Sequence, residues 1–324
     1  MRPFKHINAS SIEEAVGWLG RYGTKACIIA GGTDLLGKMK DDILPKYPEA
    51  LVNIKTIPGL EYIKEDRGFL CIGALTKLQD IACNKHVQAN FPLLAEAALR
   101  TASPNIRQMG TIAGNICQDI RCWYYRNPRN RFPCLRKGGG RCYAIEGDNR
   151  YHSIFGGSVE GGCYAVHPSD IAPVLIALNA KIKTSKRTIE AESFFQVDVL
   201  KTTVLDDDEI VCSVDIPLIH ADVKSKFLKF ALRKSIDFAI VNCACSIRES
   251  EGRVSEARIC LNAVYVRPYR VYDAEKVLVG KAINEISAEL AAKVSVSGTK
   301  PLKYNRYMIQ IVRTLVKRAI LSCS

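Results

Sequence analysis

The chain has 324 residues, 13 of them cysteines, and a formal charge of +13. That length supports two or three domains with cores of their own, and no 18-residue apolar run suggests a membrane span. An odd cysteine count in a chain of this size argues against a secreted disulfide framework, and the start "MRPFKHINASSIEEAV" lacks the apolar stretch of a signal peptide, so the expectation is a cytoplasmic protein with reduced thiols.

In chain order, "SIEEAVGWLGR" (11–21) places apolar residues at helical spacing behind a serine cap, with acids in the first turn. "KACIIAGGTDLLGKM" (25–39) runs from a short strand through Gly-Gly-Thr-Asp towards a helix that Thr33 and Asp34 could cap. "ALVNIKTI" and "GFLCIGALT" read as strands, and "KLQDIACN" and "PLLAEAALRTA" as helices. A second glycine turn follows in "GTIAGNI" (110–116), and periodicity then disappears from 117 to 163. "HPSDIAPVLIALNAKI" restores it, as a helix capped by Ser169 or Asp170 and then a strand. Beyond about residue 181, "DEIVCSVDIPLI", "KFLKFALRK", "FAIVNCACSIRE" and "VSEARICLNAV" alternate like antiparallel strands, whereas "VYDAEKVLVG", "AINEISAELAAKV" and "KYNRYMIQIVRTLVKRAILS" are helical.

The two glycine turns are the first candidate site. Consecutive glycines expose backbone N–H groups as an anion nest, and two such turns brought together could cradle one pyrophosphate. Neither turn is a Walker or GxGxxG sequence. The positive charge is spread along the chain with no nucleic-acid-binding motif, so acidic cofactors or partner subunits account for it better than DNA or RNA. The histidines His6, His86, His152, His167 and His220 are scattered, with no HExxH or G-x-S-x-G, so no catalytic residue is assigned to this chain.

Four cysteines in the aperiodic stretch, Cys122, Cys134, Cys142 and Cys163, are separated by 11, 7 and 20 residues. Four thiolates suit zinc or a 4Fe-4S cluster. Structural zinc commonly takes close C-x2-C pairs, which are missing here. A cubane accepts ligands spread over loops, with glycines such as those at 138–140 and 161–162 letting backbone approach the sulfides and Arg121, Arg126 and Arg141 offsetting charge. Cys117, in "NICQ", reads as a buried thiol. Cys27, Cys71, Cys212, Cys243, Cys245 and Cys260 lie in strand patterns and read as small core residues, and Cys83 and Cys323 as free thiols without a special role.

AGGTDLL, TIAGNIC, VHPSD and KSIDFA together resemble the FAD-binding medium subunit of the xanthine dehydrogenase and molybdenum hydroxylase family. The resemblance implies an α+β fold of the vanillyl-alcohol-oxidase/PCMH type, with a C-terminal antiparallel sheet plus helices of the CO-dehydrogenase flavoprotein kind. It implies FAD-binding subdomains at 1–60 and 61–180 and a C-terminal domain at 181–324. It places the pyrophosphate on Ala30, Gly31, Gly32, Thr33, Asp34 and Leu35 and on Thr111, Gly114 and Asn115, the ribityl or adenosine side near Asp170, and the isoalloxazine near Lys229 and Asp237.

Most members of that family lack an insert at 117–163. The branches that carry one with a 4Fe-4S cluster are the β subunit of 4-hydroxybenzoyl-CoA reductase and the flavin subunit of a bacterial aldehyde oxidoreductase. The first is favoured by "SIDFA" and the basic C-terminal helix, the second by "HPSD". The implied role is an electron-transfer subunit. Its partners would be a small subunit with two 2Fe-2S clusters and a large subunit with molybdopterin cytosine dinucleotide, in a heterotrimer or a dimer of heterotrimers, served by a ferredoxin-like donor or acceptor. The reductase reading comes first; an aldehyde or xanthine/N-heterocycle dehydrogenase, or a stand-alone flavoenzyme with structural zinc, are the alternatives.

Overall fold

The computed structural model describes residues 1–158, 162–196 and 201–324. The first layer is a three-stranded parallel sheet. Strand β1 (Lys5–Asn8) leads through helix α1 (Ile12–Tyr22) to β2 (Ala26–Ile29), and then through α2 (Leu35–Lys40) to β3 (Ala50–Asn53). The order is β1-β3-β2, with Ala50 opposite both Lys5 and Ala26. β3 is central and buried at all its positions, as its apolar run requires. The Ser11 side chain accepts the Glu14 N–H, as the sequence pattern predicts. β1 escapes sequence reading because only Ile7 of its four residues is buried.

The second layer is a five-stranded antiparallel sheet. Strands β4 (Ile63–Asp66) and β5 (Phe69–Gly73) are followed by helices α3 (Leu78–Cys83), α4 (Lys85–Asn90), α5 (Pro92–Leu99), α6 (Pro104–Arg107), α7 (Ile112–Ile116) and, after the cysteine segment, α8 (Ala172–Ala177). The sheet is completed by β6 (Lys181–Thr184), β7 (Thr188–Glu190) and, past α9 (Ala191–Phe194), β8 (Val211–Pro217), in the order β4-β5-β8-β6-β7. The predicted border at 180/181 therefore falls between α8 and β6 of one layer. "DEIVCSVDIPLI" alternates like the later strands but pairs backwards in sequence, with Leu70 opposite Ile216. In α8 the Ser169 hydroxyl accepts the N–H groups of Ile171 and Ala172, while Asp170 is engaged elsewhere.

The third layer has strands β9 (Val223–Phe230), β10 (Val241–Ser250), β11 (Arg253–Asn262) and β12 (Tyr269–Arg270), followed by helices α10 (Tyr272–Leu278), α11 (Glu285–Val294) and α12 (Met308–Leu321). Its antiparallel order is β12-β11-β10-β9. Helices α10–α12 share a core with this sheet, where Cys243, Cys245 and Cys323 are small buried residues. Cys323 thus joins the core.

A buried polar weld fastens this layer to the second. Lys229 Nζ lies 2.6 Å from Asp170 Oδ2 and donates to the Arg100 carbonyl. Asn242 donates to Asp170 Oδ1, and Asn262 to the Ser169 carbonyl. Unpaired, the Lys229 and Asp170 charges would be costly at this depth; paired, they fix how the two layers meet.

Candidate functional site

The first glycine turn leaves the carboxyl end of β2, the edge where open α/β sheets bind ligands. It packs directly on the second turn: a Cβ on Gly31 would run into the Met109 carbonyl, and one on Gly110 would sit 3.8 Å from Thr33 Oγ1. Gly32 adopts φ +70°, which glycine accepts freely. The fold therefore brings the two turns together.

Their backbones differ. The N–H groups of Gly31, Gly32 and Thr33 donate to no group among the described residues. In the second turn, Ile112 N–H donates to the Thr76 carbonyl, Ala113 N–H to that of Ala74, and Gly114 N–H to Thr111 Oγ1, which caps α7. Asn115 Oδ1 accepts from the Ser169 hydroxyl. Only the first turn is an open nest.

A cleft of about 630 Å³ opens beside both turns, within the range of small-molecule sites. Ala30, Gly31, Gly32, Thr33, Asp34 and Leu35 line it, as do Thr111, Gly114, Asn115, Asp170 and Asp237. Lys229 is not in the lining; its ammonium is spent on Asp170 and the Arg100 carbonyl. Asp237 is held by Arg233 in the loop after β9.

Asp34 makes no capping bond to α2, contrary to expectation. Its carboxylate turns to Arg126 at 2.7 Å and Arg121 at 2.9 Å, and accepts the Asp119 N–H. Burial alone would raise its carboxyl, but Arg121, Arg126 and Lys38 outweigh burial and hold it below the usual range. Asp119 accepts from Lys38 and from the Tyr125 hydroxyl at 2.6 Å, and these partners with Arg136 depress its carboxyl strongly despite burial. So Arg121 and Arg126, expected to face the thiols, serve Asp34. Arg141 stacks on Tyr143.

The segment 117–158 contains two short 3-10 turns and no α-helix or strand; Gly161, expected near the sulfurs, lies outside the described residues. Among the described residues, no group of three or more His, Cys, Asp or Glu is gathered as a site for a metal ion. The four thiols nonetheless share a neighbourhood. Cys122 is within electrostatic reach of Cys163 and Cys142, and Cys163 of Cys142 and Cys134. Burial pushes Cys122 up to about 12 and Cys163 up to about 11, and raises Cys134. One donor reaches a sulfur, the Ala165 N–H at 3.4 Å from Cys163 Sγ, while the nearby backbone N–H groups of Tyr124 and Tyr125 at Cys122, and of Arg136 and Lys137 at Cys134, work against burial in favour of the thiolates. The buried Lys137 ammonium has no hydrogen-bond partner and feels Cys134 and Cys122. Backbone donors and a cation converging on thiols suit thiolate ligands of a metal or cluster.

His152, which sequence reading left unassigned, lies with Nε2 3.2 Å from Cys122 Sγ; burial lowers it to about 4, so it is neutral. Cys117, expected to be buried, is half-buried and lines the cleft; desolvation raises its thiol to about 12. His167 is fully buried against Phe195 and lowered by burial to about 3, a packing role.

Residues 2–219 match the family described as the FAD binding domain in molybdopterin dehydrogenase, and 226–323 match the CO dehydrogenase flavoprotein C-terminal domain. The chain belongs to the FAD-binding medium subunits of the molybdenum hydroxylase family. It is 29% identical to the carbon monoxide dehydrogenase medium chain of Hydrogenophaga pseudoflava over 98% of this chain and 96% of that one. It is 32% identical to the aldehyde oxidoreductase FAD-binding subunit of Escherichia coli over 77% and 78%. A solved Hydrogenophaga pseudoflava carbon monoxide dehydrogenase superposes with a TM-score of 0.79 at 28% identity, covering 100% of this chain and 98% of its counterpart. Further relatives are named as subunits of nicotinate dehydrogenase, nicotine 6-hydroxylase and caffeine dehydrogenase. The border between the two family matches, 219/226, agrees with the step from β8 to β9. The open N–H nest and the glycine closely packed beside it fit the diphosphate of FAD. No helix among the described residues is long and apolar enough to cross a membrane.

Proposed function

We propose that the chain is the FAD-carrying electron-transfer subunit of an aldehyde or N-heterocycle dehydrogenase, working with a large molybdenum subunit and a small 2Fe-2S subunit. The observation that carries this reading is the open nest at Gly31, Gly32 and Thr33, set in a cleft of about 630 Å³ within a FAD-binding family chain. The names of the aldehyde, nicotinate, nicotine and caffeine relatives weigh towards dehydrogenases and away from the 4-hydroxybenzoyl-CoA reductase reading that the sequence placed first.

FAD, when bound, exchanges electron pairs that iron–sulfur centres carry singly. The residues of this chain do the holding. The first turn offers N–H donors to the phosphates, and the Lys38, Arg121 and Arg126 cations brace Asp34 behind it. Cys122, Cys134, Cys142 and Cys163 would ligate a 4Fe-4S cluster, whose thiolates stand farther apart than those around a single ion. In this assembly the substrate chemistry falls to the large molybdenum subunit.

The test is an absorption spectrum of anaerobically purified protein with flavin, iron and zinc analysis, alone and co-expressed with the partner subunits. FAD with iron and assembly into a larger complex are expected. Colourless protein would overturn the flavin reading, and zinc in place of iron would overturn the cluster.

A further inference from the structure

Arg121 stands between the two candidate cofactor sites. It precedes Cys122 in the chain, so the cysteine segment carries it, yet its side chain lines the cleft beside the first glycine turn. Three neighbours fix the guanidinium: Asp34 at 2.9 Å, Gln118 Oε1 at 3.1 Å, and the Phe238 ring, whose centroid lies 4.7 Å from its central carbon. Phe238 also lines the cleft. Both polar contacts use Nη2, and the buried Nε has no hydrogen-bond partner among the described residues. The side chain is half-buried, and a buried N–H left unused on a cation favours the arrival of an acceptor.

Charge points the same way. Around the turn, Lys38, Arg121, Arg126 and Arg136 face Asp34 and Asp119, so cations outnumber acids there. Acids elsewhere in the lining do not cancel it, because Asp206, Asp207 and Glu209 pair with Lys186, Lys201 and Arg187. Arg126 is differently placed. It bonds Asp34 too, but its Nε donates to the Ile120 carbonyl and its Nη2 also to that of Asp119, and it does not line the cleft.

We propose that Arg121 is a phosphate-binding residue for FAD, supplied by the cysteine segment across from the glycine turns. The inference rests on the FAD reading above. It makes flavin binding depend on a residue positioned by the segment that holds the thiols.

The test is flavin titration into the full-length chain after removal of its FAD, comparing FAD with riboflavin, which has the ring but no phosphate. Arg121→Gln should weaken FAD roughly 10- to 100-fold, the loss of one charge-assisted bond, while riboflavin binding stays within a factor of two or so. Arg121→Lys should recover part of the loss. Arg126→Gln separates contact from bracing: it removes an Asp34 partner and leaves the cleft lining intact, so it should weaken FAD less than Arg121→Gln. Equal losses for the two variants would reduce Arg121 to a brace for Asp34 and overturn the proposal. A matching loss for riboflavin would move the contact to the ring and overturn it as well. Unchanged FAD affinity in a soluble Arg121→Gln protein would overturn this inference alone, whereas a wild-type chain that takes up no FAD would overturn the functional reading beneath it.

Discussion

The glycine turn at 30–34 hangs from a strand paired to the fully buried β3, and its shape follows from backbone hydrogen bonds and glycine geometry. The cysteine segment at 117–158 has neither strand nor α-helix; ion pairs, aromatic contacts such as Tyr124 with Phe132, and stitches to the third layer hold it. Those stitches run from Asn305 to the His152 and Ser153 carbonyls and from the Tyr304 N–H to Asn149. The first region is preformed for its ligand. The second collects four thiols, and burial opposes ionisation of Cys122, Cys134 and Cys163, so a metal or cluster would be part of its structure and not a guest. Substitutions in both regions test that contrast.

The largest effect is expected in the segment. Each of Cys122→Ser, Cys134→Ser, Cys142→Ser and Cys163→Ser should remove the whole cluster, about four irons per chain, and open 117–158 to proteases, while Cys27→Ser does neither. Elemental analysis and low-temperature paramagnetic resonance read it out, and full iron in all four variants would remove the contrast. Next comes the weld between the second and third layers. Lys229→Met leaves the Asp170 carboxylate buried and unpaired and should cost about 3–5 kcal/mol in denaturant unfolding. Combining it with Asp170→Leu should recover most of that loss.

A smaller effect probes the preformed region. Gly31→Ala drives a methyl into the Met109 carbonyl and should destabilise by about 1–3 kcal/mol with loss of FAD. Gly37→Ala in α2 meets nothing within 4 Å and should stabilise by about 0.5–1 kcal/mol. The smallest effect concerns acid. The carboxyls of Asp34 and Asp119 are depressed, so their stabilisation is complete above the unfolded value of about pH 4 and fades as pH falls through their lowered values. Asp119→Asn should flatten the acid limb of a melting-temperature profile. An unchanged limb would show that the network linking the two regions contributes nothing there.

What could be read from the sequence divides along the same line. Ser11 and the apolar spacing behind it announce α1, and Gly-Gly after "ACIIA" announces a turn, because both depend on neighbours a few residues away. The lack of periodicity from 117 onward was equally visible. Partner choice was not: the alternation in β8 is that of any half-buried strand, and nothing local says that its neighbours are β5 and β6. The role of Asp34 was hidden for the same reason, since Arg126 lies 92 residues away and an aspartate before a helix looks like a cap. His152 beside Cys122 and Arg121 in the cleft are likewise products of tertiary folding.

The pairing of β8 with β5 has a consequence for synthesis. The first sheet can form once residue 53 has emerged, from strands close in sequence, but β5 gains one of its neighbours only with residues 211–217. Such distant contacts pay their loop-closure entropy before they return any stabilisation, and they form late. On the ribosome the thiols are therefore exposed before the second sheet is complete and before the third layer exists to receive the Asn305 stitches. Cofactor loading would then follow translation, and the unfinished chain would need protection from oxidation until it ends.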